Sequence, residues 1–413
     1  MPLIKPFTGL RPAPGRAAAV AAPPYDVMNA QEARAMVAGR PLSFLHISRP
    51  EVDLPPDTDP YAPAVYAKAR ENLERLCAEG VLVRDPTARY YCYRLTMGGH
   101  VQTGLVAAAS VAAYDAGRIK KHEFTRPVKE DDRVRQIDVL NAQTGPAFLV
   151  YRATPAIDQV LTRVSAAAPE VDFTAPDGVR HELWAIADQP TIDGLTAAFA
   201  ALDALYIADG HHRSAAASRV AAARRAANPR HTGDESYNWF LSVLFPHDQM
   251  QILPYNRLVR DLRGKTPEAF LGQLADAFTV TPAPEPVAPQ GPGQFGMYLA
   301  GRWFRLDLNP GRSPAADPVR RLDVSLLQDQ VIGPLLGIAD PRRDERIDFV
   351  GGIRGLGALQ ERVDSGEWAV AFSLYPTQMD ELMAVADLGE VMPPKSTWFE
   401  PKLADGLVSH VLD

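Results

Sequence analysis

Leu205-Tyr-Ile-Ala208, Asp209-Gly-His-His-Arg213 and the alanine-rich run Ser214 to Ala227 follow one another without a break. The first four residues are apolar and short, as a buried strand is. The last run is dominated by the best helix former. Between them Gly210 permits a tight turn, and free backbone N–H groups at the start of the following helix favour an anion. The two histidines and Arg213 add donors that suit phosphate oxygens, the guanidinium in a bidentate fork. Asp209 supplies a carboxylate for Mg²⁺ or for a substrate amine. A capped turn with surface histidines is the plainer alternative, and the crowding of Asp, Gly, His, His and Arg speaks against it. Adjacent histidines on a turn rarely aim at one metal, so this segment alone does not predict zinc.

Working outward, strand and helix patterns alternate. Upstream, Phe148 to Tyr151 reads as a strand, Ile157 to Ala168 as a helix, His181 to Ile186 as a strand and Ile192 to Leu202 as a helix. Downstream, Tyr237 to Phe245 is another apolar strand. Tyr90 to Met97 and Gln102 to Ala107, parted by Gly98-Gly99, read as a hairpin. Tyr61 to Val81 has helical spacing, and Ala22-Pro-Pro-Tyr-Asp26 is barred from a helix interior by its prolines. This alternation predicts a mixed α+β fold, with a core within roughly residues 88 to 260. Pro282 to Gly293 is rich in proline and glycine, which marks a loop or junction and predicts two domains, 1–280 and 281–413. In the second, a hairpin around Gly301, helices Val324 to Leu336 and Thr377 to Ala386, and a strand near Trp368 to Leu374 are expected.

Composition narrows the function. Hydrophobic residues are 46% and charged residues 23% of 413, an ordinary globular balance. A net charge of −7 argues against a broad nucleic-acid surface but leaves room for a small basic pocket. No stretch approaches a membrane span. The alanine-rich start is cut off by Pro23-Pro24 and reads as mature sequence rather than a leader. Two cysteines without CxxC or zinc spacing leave a reducing cytoplasm as the expected location.

Other clusters carry candidate chemistry. Lys120-Lys-His-Glu-Phe-Thr125 contains His122-Glu123, where a carboxylate beside a hydroxyl would accept its proton. Lys129-Glu-Asp-Asp-Arg133 reads equally as a solvated helix start. Lys395-Ser-Thr397 lacks the preceding GxxxxG of a P-loop and is a phosphate-contacting loop at most. Tyr25-Asp26 and Arg49-Pro-Glu51 are rigid polar segments able to line a pocket.

These segments together resemble a bacterial family known as domain of unknown function number 1015. The matching stretches are Ala22-Pro-Pro-Tyr-Asp-Val27, Ser43-Phe-Leu-His46, Arg49-Pro-Glu51, Gln102-Thr-Gly104, Lys121-His-Glu123, Lys129-Glu-Asp-Asp-Arg133, Tyr206 to Arg213, Pro254-Tyr-Asn-Arg257 and Pro394-Lys-Ser-Thr397. The pairing of a His-Glu segment with an Asp-Gly-His-His-Arg turn is also similar to free-serine kinases of ParB/sulfiredoxin fold. That resemblance implies a ParB/sulfiredoxin-like core with large N- and C-terminal additions. It implies ATP or ADP as phosphoryl donor, Mg²⁺, and free L-serine as acceptor. Glu123 and Asp209 become the catalytic carboxylates, with Asp209 also the metal ligand. Gly210, His211, His212, Arg213 and Ser214 form the phosphate grip, joined by Lys395, Ser396 and Thr397. His122, Asp26, Arg49 and Glu51 are placed with the amino-acid substrate. In one respect the chain departs from a minimal fold of this kind: 86 positions separate Glu123 from Asp209. A non-enzymatic, ParB-like nucleotide-binding regulator is the alternative.

Overall fold

The computed structural model describes residues 2–314 and 316–412. The chain divides into two units, residues 1–250 with 401–413, and residues 251–400. The proline-rich stretch is therefore not the junction. It connects the Phe278–Ala283 and Gln294–Leu299 strands inside the second unit, which replaces the expected 280/281 boundary.

The first unit is built on a nine-stranded mixed sheet. Across it lie Ile119–Lys120, Leu205–Asp209, Ala147–Tyr151, Trp239–Pro246, His100–Ser110, Tyr90–Met97, Arg180–Ile186 and Val171–Thr174. Ile4–Lys5 pairs with Ala109 and Ala108, just beyond the point where the Tyr90–Met97 strand ends its pairing at Val106. The hairpin, the strands at 148–151 and 181–186, and the strand at 205–208 all form as their patterns predict. Burial explains why: Leu149, Val150, Tyr151, Leu205 and Ile207 are fully enclosed. Helices cover the sheet with the apolar faces that periodicity indicated, and Ile157, Leu161, Ile192, Leu195 and Phe199 enter one core cluster.

Two pairings position the site. Ile119–Lys120 runs parallel to Leu205–Tyr206, so the residues that follow each strand leave the sheet at the same end. The register against Ala147–Tyr151 then slips between Ile207 and Asp209. Such a bulge re-aims the next side chain, here Asp209, at the sheet's rim. The Gly210 φ of +95° turns the chain into the His211–Ala227 helix. The helix starts three residues earlier than its alanine content suggests, because Gly210 and not a later residue is its N-cap. Its small side chains let it pack on the Pro127–Leu140 helix, where Ile137, Ala216, Val220 and Leu412 form a cluster.

The chain's last segment returns to this unit. Ser409–Val411 pairs with Gly9–Pro12 on one side and Ala142–Gln143 on the other, in a small four-stranded sheet.

The second unit holds a six-stranded antiparallel sheet in the order Phe278–Ala283, Arg302–Leu308, Gln294–Leu299, Val370–Leu374, Tyr255–Val259, Ile347–Gly351. The predicted hairpin at Gly301 and the 379–387 helix are present. The expected helix from Val324 to Leu336 is shorter: α-helical geometry ends at Leu327 and widens over Gln328–Ile332, where the Gly333 N–H bonds the Gln328 carbonyl ahead of Pro334. No helix among the described residues is long and apolar enough to cross a membrane.

Candidate functional site

The parallel strands bring Glu123 to the turn. One ligating atom each from His122, Glu123 and His211 lies within 4.8 Å of the others, although 86 positions separate Glu123 from Asp209 in sequence. Two hydrogen bonds hold the Glu123 segment there. The His122 backbone N–H donates to His211 Nε2 at 3.4 Å, and the Arg126 N–H donates to His212 Nε2 at 2.9 Å. The adjacent histidines, expected on phosphate, thus grip the backbone on either side of Glu123. The physical reason is burial: His211 is 5% exposed and faces protein rather than solvent.

Asp209 is the electrostatic hub. Lys402 Nζ lies 3.2 Å from its Oδ2 and Arg213 Nη2 lies 3.3 Å from its Oδ1. Against the opposing effect of burial, these two cations hold its carboxyl well below the usual range. Arg213 also donates to the Pro146 carbonyl. A Cβ at Gly210 would come within 3.0 Å of Arg213 Nε and 3.1 Å of Ala147 Cα, so the turn and the guanidinium are fitted to each other. Arg213 is only 10% exposed, and its donors are partly spent within the protein. Ser214 departs further from its expected role. Its hydroxyl turns back to the Gly210 carbonyl at 3.2 Å, and its N–H closes the first helical bond to the same oxygen.

Behind the turn lies a cavity of about 30 Å³, room for about one water. Tyr25, Arg133, Gly145, Arg213 and Asp405 line it. The Arg133 guanidinium sits 3.9 Å over the Tyr25 ring and pairs with Asp132 at 2.7 Å. Asp405 is 1% exposed, and its Oδ1 has no hydrogen-bond partner. Burial pushes its carboxyl up to about 7, with Arg213 pulling the other way. Backbone bonds between Ala22 and Asp405 anchor this end segment beside the Pro-Pro-Tyr-Asp motif.

The expected substrate residues divide. Asp26 is exposed, and its charge is felt by Arg133, Arg213 and His212. Arg49 and Glu51 are committed elsewhere. Arg49 Nε bonds Glu51 Oε1 at 2.6 Å, and its Nη1 bonds the carbonyls of Tyr25 and Met28 at 2.8 and 2.7 Å. Three of the five guanidinium donors are thus engaged within the protein. They brace the Tyr25–Asp26 loop.

Lys395, Ser396 and Thr397 belong to the second unit, where two motifs meet. Arg257 Nη1 donates to the Lys395 carbonyl at 3.0 Å, and Ser396 Oγ donates to Pro393 O at 2.6 Å. The Ser396 hydroxyl is thus used in that unit's own packing. Neither Asp405 nor Lys402 is given a role by the sequence reading. An Asp-Gly near the chain end is an ordinary turn signal, and nothing local tells of its burial.

A family model described as protein of unknown function (DUF1015) matches residues 4–325. The chain belongs to this family. No curated protein matches it. Among solved structures, a free serine kinase in complex with AMP superposes with a TM-score of 0.36 at 15% identity, over 73% of this chain and 92% of the other. A conserved hypothetical protein from Pyrococcus furiosus gives 0.34 and 14%, over 73% and 95%. SbnI from Staphylococcus aureus, truncated at its C-terminus, gives 0.34 and 13%, over 73% and 85%. These superpositions are loose, and the chemistry of this DUF1015 member has to be read from its own residues.

Proposed function

We propose that the protein is a small-molecule kinase, transferring a phosphoryl group from ATP or ADP to a hydroxyl, with free L-serine as acceptor. One observation carries this reading: Glu123 stands beside the start of the His211–Ala227 helix, where the turn also gathers Arg213 and Lys402. Phosphoryl transfer needs little beyond positioning and charge neutralisation. The N–H groups opening the helix and the two cations supply these for the phosphates. Glu123 takes the proton of the acceptor hydroxyl. The hydroxyl oxygen bonds to the terminal phosphorus as the phosphorus–oxygen bond to the nucleotide breaks, and the departing nucleotide keeps that electron pair. The exposed Asp26 suits the acceptor's ammonium. Asp209 holds Lys402 and Arg213 ready for the phosphates and, once they turn outward, is the carboxylate available to Mg²⁺ arriving on the nucleotide. The strand, turn and helix at 205–227 are the part of the sheet that supports a ParB/sulfiredoxin-like core.

The test is incubation of the full chain with Mg-ATP or Mg-ADP and serine, threonine, homoserine or a sugar alcohol. Serine-dependent turnover with O-phosphoserine as product is expected. Glu123→Gln should lower turnover by about 10²–10⁴-fold, the usual worth of general base catalysis, while nucleotide still binds. Phosphorylation of the sugar alcohol alone refutes the serine assignment. Nucleotide binding with no acceptor phosphorylated points to the sensing alternative.

A further inference from the structure

His122 is 2% exposed, and neither of its ring nitrogens makes a well-formed hydrogen bond, the Ile207 backbone being the polar group nearest to offering one. Leaving buried polar atoms unpaired is costly, and each such atom in a native protein calls for an explanation, a bound ion among them. The His211 ring stands edge-on to it, with centroids 4.5 Å apart at 89°. Glu123, half-buried, brings a carboxylate oxygen within 4.8 Å of a nitrogen from each ring. Among the described residues, the hydrogen bond that His211 Nε2 would surrender to a new partner is the 3.4 Å one from the His122 N–H, at the long limit for such a bond.

We propose that His122, Glu123 and His211 form a binding site for one divalent transition-metal ion of the zinc type. Two imidazoles and a carboxylate suit such an ion, whereas Mg²⁺ prefers oxygen ligands in an octahedral shell. Three protein ligands leave at least one position open, the arrangement of a catalytic rather than a structural metal. Ligand bonds of about 2.0–2.2 Å require the three atoms to approach to roughly 3.3–3.5 Å of one another. The site must therefore contract by up to about 1.3–1.5 Å, a movement shared between rotation of the Glu123 side chain and small shifts of the two rings. Of the nearby charges, Asp209 favours a cation at both His122 and His211 and Arg213 opposes one at His211, so the pairing of Asp209 with Arg213 and Lys402 offsets that opposition in part.

The site stands on its own side chains and does not depend on the kinase reading. Under that reading the two are compatible. A carboxylate has lone pairs on both oxygens, so Glu123 can ligate through one and accept a proton through the other. The open position would then take the acceptor's oxygen and make its proton easier to remove.

The experiment is a metal titration without nucleotide. Full-length protein, stripped with a chelator, is titrated with Co²⁺ and then with Zn²⁺, following visible d–d absorption. One equivalent of Co²⁺ should give a low-symmetry spectrum that Zn²⁺ abolishes and Mg²⁺ does not. Loss of a mere outer-shell partner weakens metal affinity by roughly 10–100-fold, so His122→Ala, His211→Ala and Glu123→Gln should each cost at least that. Circular dichroism checks that the variants fold. Should the histidine variants unfold, X-ray absorption of the zinc-loaded wild type decides, with two imidazoles and one carboxylate expected. No stoichiometric Co²⁺ or Zn²⁺ binding by the wild type overturns the proposal, as does an unchanged spectrum in folded His122→Ala. Neither readout involves phosphoryl transfer, so an inactive kinase assay leaves the result standing.

Discussion

Asp405 shows how a single residue can couple the site to pH. Its carboxyl is pushed up to about 7 in the fold and has an ordinary value of 3.8. A raised acid pKa means that the folded state holds its proton where the unfolded state has lost it. The associated stability is present in full below 3.8 and is lost as pH rises toward 7, by about 1.4 kcal/mol per unit for a fully shifted group. Asp405→Asn mimics the protonated form. Urea denaturation should find it as stable as wild type at low pH and more stable at pH 8. Equal destabilisation at both ends would mean that the carboxylate, not the acid, is the native form. A second consequence concerns anions. As Asp405 ionises beside Arg213, affinity for inorganic phosphate should fall between pH 6 and pH 8 more steeply in the wild type than in Asp405→Asn, as calorimetry at matched ionic strength would show. None of this was legible in Leu403-Ala-Asp-Gly406, because burial is a property of what packs around a residue. By contrast, Glu123 and Asp209 stood out beforehand, since their neighbours in sequence are themselves polar and crowded.

At the scale of elements, the turn between the Leu205–Asp209 strand and the His211–Ala227 helix carries the most constraint. Gly210 has a φ of +95°, and a Cβ there would press on Arg213 and Ala147. Gly210→Ala should cost about 1–2 kcal/mol from backbone strain alone, with the steric cost in addition. Thermal melting would measure it, and a wild-type midpoint would mean the turn is slacker than its geometry. The turn's second duty is to hold a neighbour. His212→Ala removes the acceptor of the Arg126 N–H, so amide exchange across 122–126 should quicken while the sheet stays protected. The strands and helices here were readable because apolar periodicity reports local burial directly. What periodicity could not report was pairing partner. That Ile119–Lys120 lies parallel to Leu205–Tyr206 is decided by tertiary packing, and with it the meeting of Glu123 and His211. The internal bonds of Arg49 and Ser214 were not foreseen for a related reason. Both residue types bind phosphates or carboxylates when free, and sequence does not show which backbone carbonyls will occupy them first.

For the whole molecule, the decisive fact is that the first unit is discontinuous, residues 1–250 being completed by 401–413. Composition flagged Pro282 to Gly293 as the junction because loops and linkers share a vocabulary of proline and glycine. The chain uses that vocabulary within a sheet, whereas its crossings at Met250–Gln251 and Glu400–Pro401 have prolines nearby but no comparable proline- and glycine-rich run. A truncation ending at Glu400 would lose Lys402, Asp405 and the Ser409–Val411 strand together. It should melt well below the full chain and fail to bind nucleotide, whereas Lys402→Met should weaken nucleotide with a smaller fall in melting point, since it keeps the strand and costs Asp209 one of its two cations. If the truncated chain bound nucleotide normally, the return segment would have no part in the site.

The order of synthesis gives this closure a further meaning. Chains emerge during synthesis at about 5–20 residues per second, N-terminal regions folding first. Residues 251–400 must all be made before the strand that fills the place between Gly9–Pro12 and Ala142–Gln143 leaves the ribosome. For on the order of ten seconds or more the nascent first unit therefore exposes two unpaired strand edges, and Asp209 stands with Arg213 but without Lys402. The charge set around Asp209 is thus completed only after the whole second unit has been made, because Lys402 follows it in the chain.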